Sequence, residues 1–316
     1  MSEDPGRRIS TAGSDRPGTG AAGDPAAGSD RPGTGAAGDP AATRTEGPGA
    51  PRTAAPVTAA VAAPGTEPIA GRLLGWEIFV VFAVSLGASG LAALVELIGS
   101  LTQRAALSRQ HAVIIGSLAP GRPWLDLALQ LTDIAIRLAP VALVLYLLVR
   151  SGESAATIGL DARQPRRDAL TGMALAAVIG GAGLALYLGA FHLGINLNVV
   201  AEQLPAVWWR VPVLVLQAAQ NGILEEVIVA GYLLHRLAQL RWPAGRAIAL
   251  SAVLRGSYHL YQGFGGFAGN AAMGVIFAFL YRRWGRVTPL IVAHTLIDAV
   301  AFVGYALLHG KVSWLP

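Results

Sequence analysis

The sequence contains no cysteine and carries little charge. The absence of cysteine from all 316 residues excludes disulfide bonds, a thiol nucleophile and thiolate metal sites. Charged residues make up 14% of the chain and hydrophobic residues 53%, whereas soluble domains usually carry about 25% charged residues. Because the apolar residues are also clustered into long runs, the composition predicts a polytopic membrane protein.

Lysine is nearly absent as well, since Lys311 is the only one, and the formal net charge of +5 therefore comes from arginine. The arginines lie in short connections between apolar runs, where the positive-inside rule explains them. The basic balance therefore does not indicate a nucleic-acid partner. Usage rich in arginine, alanine and glycine is typical of a GC-rich bacterial genome, so the expected location is the bacterial plasma membrane, with the lipid bilayer as a partner.

Residues 1–70 lack apolar runs and are rich in Gly, Ala, Pro, Thr and Asp. The segment Gly13–Ala27 recurs without change as Gly28–Ala42, a direct repeat of fifteen residues. Such a composition cannot bury enough apolar surface to offset chain entropy, which predicts a disordered tail. No short apolar stretch follows a basic start, so a secretory signal peptide is not expected. The predicted domains are this cytoplasmic tail over 1–70 and a transmembrane domain over 71–316.

The apolar runs after the tail predict an all-α bundle of about seven transmembrane helices. They cover approximately residues 73–98, 125–149, 170–193, 212–236, 246–262, 270–282 and 287–308. Ten arginines lie in the connections at 150–168, 236–246 and 282–286, against four in the opposite connections. This asymmetry predicts a cytoplasmic N-terminus and an external C-terminus. A further re-entrant segment within 101–120 remains an alternative.

Two polar patterns in the first spans leave alternatives open. Gly87–Gly90 matches the GxSG motif of rhomboid serine proteases, but the span supplies no base for Ser89, and small residues in a membrane helix favour close helix packing. Asp133 and Arg137 form an i, i+4 pair in the second span. This pair is either a structural ion pair facing the bundle or part of a substrate or proton path.

Glu225 and Glu226 lie side by side in the middle of the fourth predicted span. One acidic side chain at the centre of a span costs about 2.5–3.5 kcal/mol on the insertion scale, so two in succession predict a functional site. Consecutive helix positions are about 100° apart, so the two carboxylates cannot face the same way. One is expected to face a watery site and the other a partner, for which Arg255 is the candidate.

Polar side chains from three helices are predicted at a similar depth. Measured from the arginine-rich helix ends at ~1.5 Å per residue, Glu225 lies ~16 Å, His259 ~20 Å, His294 ~10 Å and Asp298 ~16 Å into the span. An ionised Glu225 beside a histidine is suited to activate water, and His294 with Asp298 to stabilise an oxyanion, which is the chemistry of peptide hydrolysis. Glu225, His259 and His294 could instead hold Zn²⁺ with an open water position, although HExxH is absent.

The glutamate pair, Tyr258-His259 and the stretch His294–Asp298 together resemble the CPBP family, the CAAX-protease and bacteriocin-processing (Abi) family of intramembrane proteases. The family pattern is EExxxR, FxxxH and HxxxN/D on successive core helices. The resemblance covers about residues 150–305, with the core motifs in 212–305. It implies an intramembrane endopeptidase of the glutamate or metalloprotease type, acting on a peptide or membrane-protein substrate. It also implies that Glu225 and His259 activate the water, and that His294 and Asp298 shape the oxyanion site.

Two positions depart from the family pattern. Ala230 stands where EExxxR has its arginine, and Arg255 stands where FxxxH has its phenylalanine. We interpret the two together as the relocation of one arginine from the fourth span to the fifth. The alternatives are a catalytically inactive scaffold or immunity protein on the same fold, and a transporter that uses Asp133, Arg137 and the glutamates as a relay.

Overall fold

A computed structural model describes residues 71–312, which form a helical bundle with one small β-sheet. The helices are α1 (Gly71–Ala83), α2 (Leu86–Leu101), α3 (Pro123–Arg137), α4 (Ala139–Arg150), α5 (Pro165–His192), α6 (Arg210–Glu225), α7 (Leu233–Gln239), α8 (Ala244–Ser257), α9 (Phe264–Trp284) and α10 (Thr288–Leu308). The strands are β1 (His111–Gly116) and β2 (Asn198–Gln203). The tail over 1–70 and its repeat lie outside the described residues.

Within residues 71–312, five helical segments are long and apolar enough to cross a membrane, and a sixth is possible if α1 and α2 form one span bent by 49°. These are the features of a multi-pass membrane protein, as the composition predicts. The expected count of seven is not reached, because α8 has 14 residues and, at ~1.5 Å per residue, extends only ~21 Å against an apolar core of ~30 Å. The predicted fifth span instead ends at Ser257 and continues as a turn.

The most buried membrane-length segment is Arg210–Gln239, which consists of α6, a π-helical stretch Glu226–Tyr232, and α7. In its apolar window, 67% of the residues are buried inside the bundle, against 28% or less in the other four segments. All seven residues of the π-helical stretch are buried. The segment that carries the glutamate pair is therefore the centre of the bundle, and the other helices surround it.

The all-α prediction does not include the small β-sheet. β1 and β2 pair in parallel, with His111 opposite Asn198 and Gly116 opposite Gln203. Both strands fall in stretches where the sequence predicts connections between spans. β1 also occupies the region where a re-entrant segment is the alternative prediction. The strands lie at the bundle face opposite the arginine-rich connections, because β2 follows the end of α5 and precedes the start of α6.

Arg236, predicted to lie in a connection, is instead fully buried near the arginine-rich face. Its guanidinium donates to Glu77 of α1 (Nε–Oε1, 3.0 Å) and to Glu153 after α4 (Nη1–Oε2, 2.5 Å). Tyr232 also donates to Glu77 (2.7 Å), and His235 contacts Glu153 (2.5 Å). This network joins α1, α4 and α7, so Arg236 has a structural role that the sequence pattern does not indicate.

A second ionic contact on this face joins the starts of α5 and α10. Arg286 donates to Asp168 (Nη2–Oδ2, 2.5 Å) and to Asp161 (Nη2–Oδ1, 3.0 Å). The hydrogen bond from Arg286, followed by one from the backbone of Arg163, lowers the pKa of the Asp161 carboxyl. The loop between α9 and α10 is thereby held against the loop before α5.

The structure shows where the two patterns noted in the first predicted spans lie, namely Gly87–Gly90 and the Asp133–Arg137 pair. A β-carbon at Gly90 would lie 2.7 Å from Ser257 Oγ, so the small residues of Gly87–Gly90 allow α2 to approach the end of α8. Asp133 and Arg137 pair at 2.6 Å, but 58% of the arginine and 33% of the aspartate side chain are exposed. The pair therefore faces out of the bundle, and the prediction of a bundle-facing pair is wrong.

Candidate active site

Glu226 is the fully buried member of the glutamate pair, and its carboxylate has two partners, a guanidinium group and an imidazole nitrogen. Arg255 Nη2 donates to Glu226 Oε1 at 2.5 Å, and His294 Nδ1 lies 2.7 Å from the same oxygen. The predicted pairing of Arg255 with one glutamate is therefore present. Because a buried carboxylate is stable only with such partners, Glu226 serves to join α8 and α10 to the central segment.

Glu225 has a more open environment than its neighbour. Its Oε2 accepts a hydrogen bond from the Tyr258 hydroxyl at 2.8 Å and lies 3.8 Å from Arg255 Nη1. Among residues 71–312, its second oxygen, Oε1, has no hydrogen-bond partner. Tyr258, which binds this carboxylate, is next to His259 in the chain, and the centres of their rings are 4.9 Å apart. Glu225 is thus anchored at one oxygen and available to a small polar molecule at the other.

His259 lies just beyond α8, at the start of a 3₁₀ turn over Leu260–Gln262. Its Nδ1 is 2.9 Å from the Arg255 carbonyl oxygen. Since a carbonyl only accepts, Nδ1 is the protonated nitrogen, and the lone pair of the neutral ring is on Nε2. The backbone of the helix end therefore fixes the tautomer in which Nε2 can act as a base.

His294 and Asp298 lie one turn apart on α10, with His294 Nε2 at 3.7 Å from Asp298 Oδ2. The same aspartate oxygen accepts a hydrogen bond from Asn221 Nδ2 of α6 at 3.2 Å. Bonding of Nδ1 to Glu226 directs the opposite nitrogen of His294 toward Asp298 and Asn221. Donors from two helices therefore surround one small polar region beside the glutamates.

Close contact of α6 with α10 is what brings these groups together. A β-carbon at Gly222 would lie 2.6 Å from Thr295 Oγ1 and 3.0 Å from the Thr295 nitrogen, so only glycine fits there. Gly222 is one turn before Glu226, and Thr295 follows His294 directly. The π-helical stretch then begins at Glu226, in keeping with the frequent occurrence of such segments at functional sites.

All six residues predicted for the site lie in this one region, on α6, the π-helical stretch, α8 with its turn, and α10. They are Glu225, Glu226, Arg255, His259, His294 and Asp298. Sequence reasoning gave no role to Tyr258 and did not connect Asn221 with Asp298. The position of Tyr258 next to the motif histidine was the available signal. Ala230 is buried within the π-helical stretch.

The predicted zinc ligands do not form a metal-binding group in this arrangement. Among residues 71–312, no three His, Asp or Glu side chains are placed to hold one metal ion together. The guanidinium of Arg255 lies 3.8 Å from Glu225 Oε2 and so places a positive charge beside the carboxylate that was predicted as a ligand. The zinc site therefore stays a prediction that this arrangement does not support, and the mechanism proposed below has no metal-dependent step.

Residues 206–300 match the family model described as Rce1-like, type II CAAX prenyl endopeptidase, which belongs to the CPBP proteases. The family resemblance predicted from the motifs is therefore confirmed for this segment. It begins just before α6 and ends within α10, so it includes every predicted site residue. Neither the search of curated proteins nor the search of solved structures gave a match.

Proposed function

We propose that the chain is an intramembrane endopeptidase that hydrolyses a peptide bond with water activated by Glu225 and His259. The observation that carries the proposal is the state of the Glu225 carboxylate, which is held at Oε2 by Tyr258 while Oε1 has no hydrogen-bond partner within 71–312. The family matched by residues 206–300 is one of CAAX-type proteases, which supports the same class of reaction.

In the proposed reaction, water occupies the space between Glu225 Oε1 and His259 Nε2. The Glu225 carboxylate accepts a proton from the water while the water oxygen attacks the peptide carbonyl carbon, and a tetrahedral oxyanion forms. The proton then passes to the departing amine nitrogen as the carbon–nitrogen bond breaks. Tyr258 keeps the carboxylate in place, and Arg255 contributes a positive charge near it.

The oxyanion is proposed to be stabilised by His294 Nε2, which donates when the ring is the imidazolium, because Nδ1 already donates to the Glu226 carboxylate. Glu226 fixes the ring through Nδ1, and Asp298, hydrogen-bonded to Asn221, holds the opposite side of the ring at 3.7 Å. Donors that are positioned before the charge develops contribute most to stabilising a transition state. Nδ1 donates in both histidines, so their proposed roles differ by charge. Neutral His259 accepts at Nε2, whereas His294, between the Glu226 and Asp298 carboxylates, donates at Nε2 as an imidazolium.

The proposed substrate is a peptide or membrane-protein segment, and the proposed setting is the bacterial plasma membrane with the N-terminal tail in the cytoplasm. A prenylated CAAX tail, the substrate in the name of the matched family, is tested beside unmodified peptides. The arginine-rich connections support this orientation through the positive-inside rule.

The test is a comparison of the purified full chain with its Glu225→Gln variant on a mixed peptide library that includes farnesylated CAAX peptides. Mass spectrometry identifies the products. We expect products with the wild-type protein that are absent with Glu225→Gln, whose neutral amide cannot accept the proton. Identical product profiles for the two proteins would contradict the proposal.

An inactive scaffold is the second candidate, and one observation favours it. The position of the family arginine is taken by Ala230, which is buried and carries no charge. The transporter alternative has less support, because Asp133 and Arg137 pair with each other on the outside of α3 and make no link to the glutamates. The product comparison with Glu225→Gln also separates the scaffold from the enzyme.

A further inference from the structure

A cavity of about 330 Å³ lies between the end of α2 and strand β1, away from the glutamate pair. Its polar lining includes Glu96, Ser100 and Gln103 from α2 and the segment after it, His111 from β1, and Tyr261 from the turn that carries His259. The cavity is thus bordered on one side by a strand and on another by the turn of the candidate active site.

Glu96 is the only carboxylate that lines this cavity, and among residues 71–312 it has no ion-pair or hydrogen-bond partner. It lies in the apolar helix α2, LGASGLAALVELIGSL, five residues before the helix end, which corresponds to ~8 Å of helix. Glu96 is exposed, and a carboxylate in so apolar a helix is a candidate functional group where it faces a polar cavity. The other acidic side chain close to the same face, Glu202, is paired with Arg210.

The cavity is connected to the candidate active site through Tyr261. The ring of Tyr261 stacks on the ring of His259 with centroids 6.4 Å apart. The turn is fixed in place, because the Leu197 nitrogen donates to the Gln262 carbonyl (3.1 Å) just before β2 begins. A substrate residue whose side chain enters the cavity would therefore lie only a few residues from the substrate peptide bond positioned at His259.

Strand β1 supplies a way to hold an extended peptide beside this cavity. β2 is its only strand partner within 71–312, so β1 is an edge strand. An extended peptide that adds to a sheet edge is held by main-chain hydrogen bonds, while pockets beside it select side chains.

We propose that this cavity is a specificity pocket for a lysine or arginine side chain of the substrate, with Glu96 as its counter-ion. The proposal rests on the proposed function in one respect, namely that the ligand is a peptide. The unpaired carboxylate provides charge complementarity, and Ser100, Gln103 and Tyr261 supply oxygen atoms that can accept hydrogen bonds from an ammonium or guanidinium group.

Binding is measured with Glu225→Gln protein in lipid nanodiscs, so that turnover does not interfere. The probes are fluorescein-labelled extended peptides that are identical except for lysine, norleucine or glutamate at one scanned position. We expect the best lysine peptide to bind about tenfold more tightly than its norleucine counterpart, a ratio that corresponds to ~1.4 kcal/mol. Adding Glu96→Gln should remove this preference, and adding Glu96→Lys should transfer it to the glutamate peptide.

Asp133→Asn is the control, because it also removes one negative charge, here from a partly exposed helix position whose residue does not line the cavity. The lysine preference should remain in that variant. Equal binding of lysine and norleucine peptides at every position, or a preference that survives Glu96→Gln, would overturn the proposal. A charge preference that depends on Glu96, in a wild-type protein that cleaves no peptide, would support the pocket and contradict the proposed hydrolysis. Cleavage by a protein that shows no such charge preference would support the proposed hydrolysis and contradict the pocket.

Discussion

At the scale of single residues, Arg255 is the most unusual feature of the site. It is nearly fully buried, its Nη2 bonds Glu226, and its Nε and Nη1 have no hydrogen-bond partner within 71–312. Its guanidinium also lies 5.3 Å from the centre of the Phe277 ring. One cation thus compensates two carboxylates, of which Glu226 is fully buried, and this makes Arg255 difficult to replace.

We expect Arg255→Ala to destabilise the protein by about 3–5 kcal/mol, because it leaves Glu226 buried without its cation. Thermal unfolding in detergent measures the loss. Arg137→Ala is the control, since removing one member of an exposed pair should cost ~0–1 kcal/mol.

If the arginine has been relocated from the family position, adding Ala230→Arg to Arg255→Ala should restore part of the activity and stability. Wild-type behaviour of Arg255→Ala alone would contradict this interpretation.

Tyr258 supplies a prediction that is independent of protein stability. Tyr258→Phe removes only the hydroxyl that donates to Glu225, and a hydrogen bond to a charged group contributes about 1.5–3 kcal/mol. Because the proposed base would lose its anchor, we expect kcat to fall by about 10- to 100-fold. Tyr281→Phe removes the hydroxyl of another buried tyrosine, outside the site, and should have little effect. An unchanged kcat for Tyr258→Phe would show that the hydroxyl does not position the base.

At the scale of helices and strands, the contact between α6 and α10 determines the site geometry. Gly222→Val would place new atoms within about 3 Å of Thr295, and overpacking of this kind typically costs 1–3 kcal/mol. We expect lower stability and a loss of activity out of proportion to it, because His294 would move away from Glu226. Gly183→Ala in α5 is the control, since nothing lies within 4 Å of a β-carbon there. Retained activity in Gly222→Val would show that the site tolerates separation of the two helices.

The helices and the candidate site were predictable at this scale because their signals are local. Long apolar runs predict spans, and a charged residue in such a run stands out by its cost. The π-helical stretch was not predictable, since one altered turn leaves no trace in the apolar pattern of Glu226–Tyr232. The β-sheet was not predictable either, because β1 and β2 are short, only partly apolar, and separated by three helices in the chain. The position of Tyr258 opposite Glu225 depends on where α8 ends, and helix ends are weakly determined by sequence.

At the scale of the whole molecule, the arginine-rich connections and the β-sheet lie on opposite faces. The absence of native cysteine allows single cysteines to report this arrangement without background labelling. We expect Arg104→Cys and Arg122→Cys to react with a membrane-impermeant maleimide in intact bacterial cells. Arg163→Cys and Arg283→Cys should react only after permeabilisation. All four positions are exposed, and the reverse pattern would contradict the proposed orientation.

The tether between the turn after α8 and the segment before β2 has a mechanical consequence. His259 starts the turn, Gln262 accepts a hydrogen bond from Leu197, and the Gly266 nitrogen donates to Asn196. Tension applied to the strand pair would pass through these bonds to the imidazole and draw it away from Glu225. A partner or lipid that lifts the sheet would therefore disable the proposed hydrolysis while every transmembrane helix stays folded.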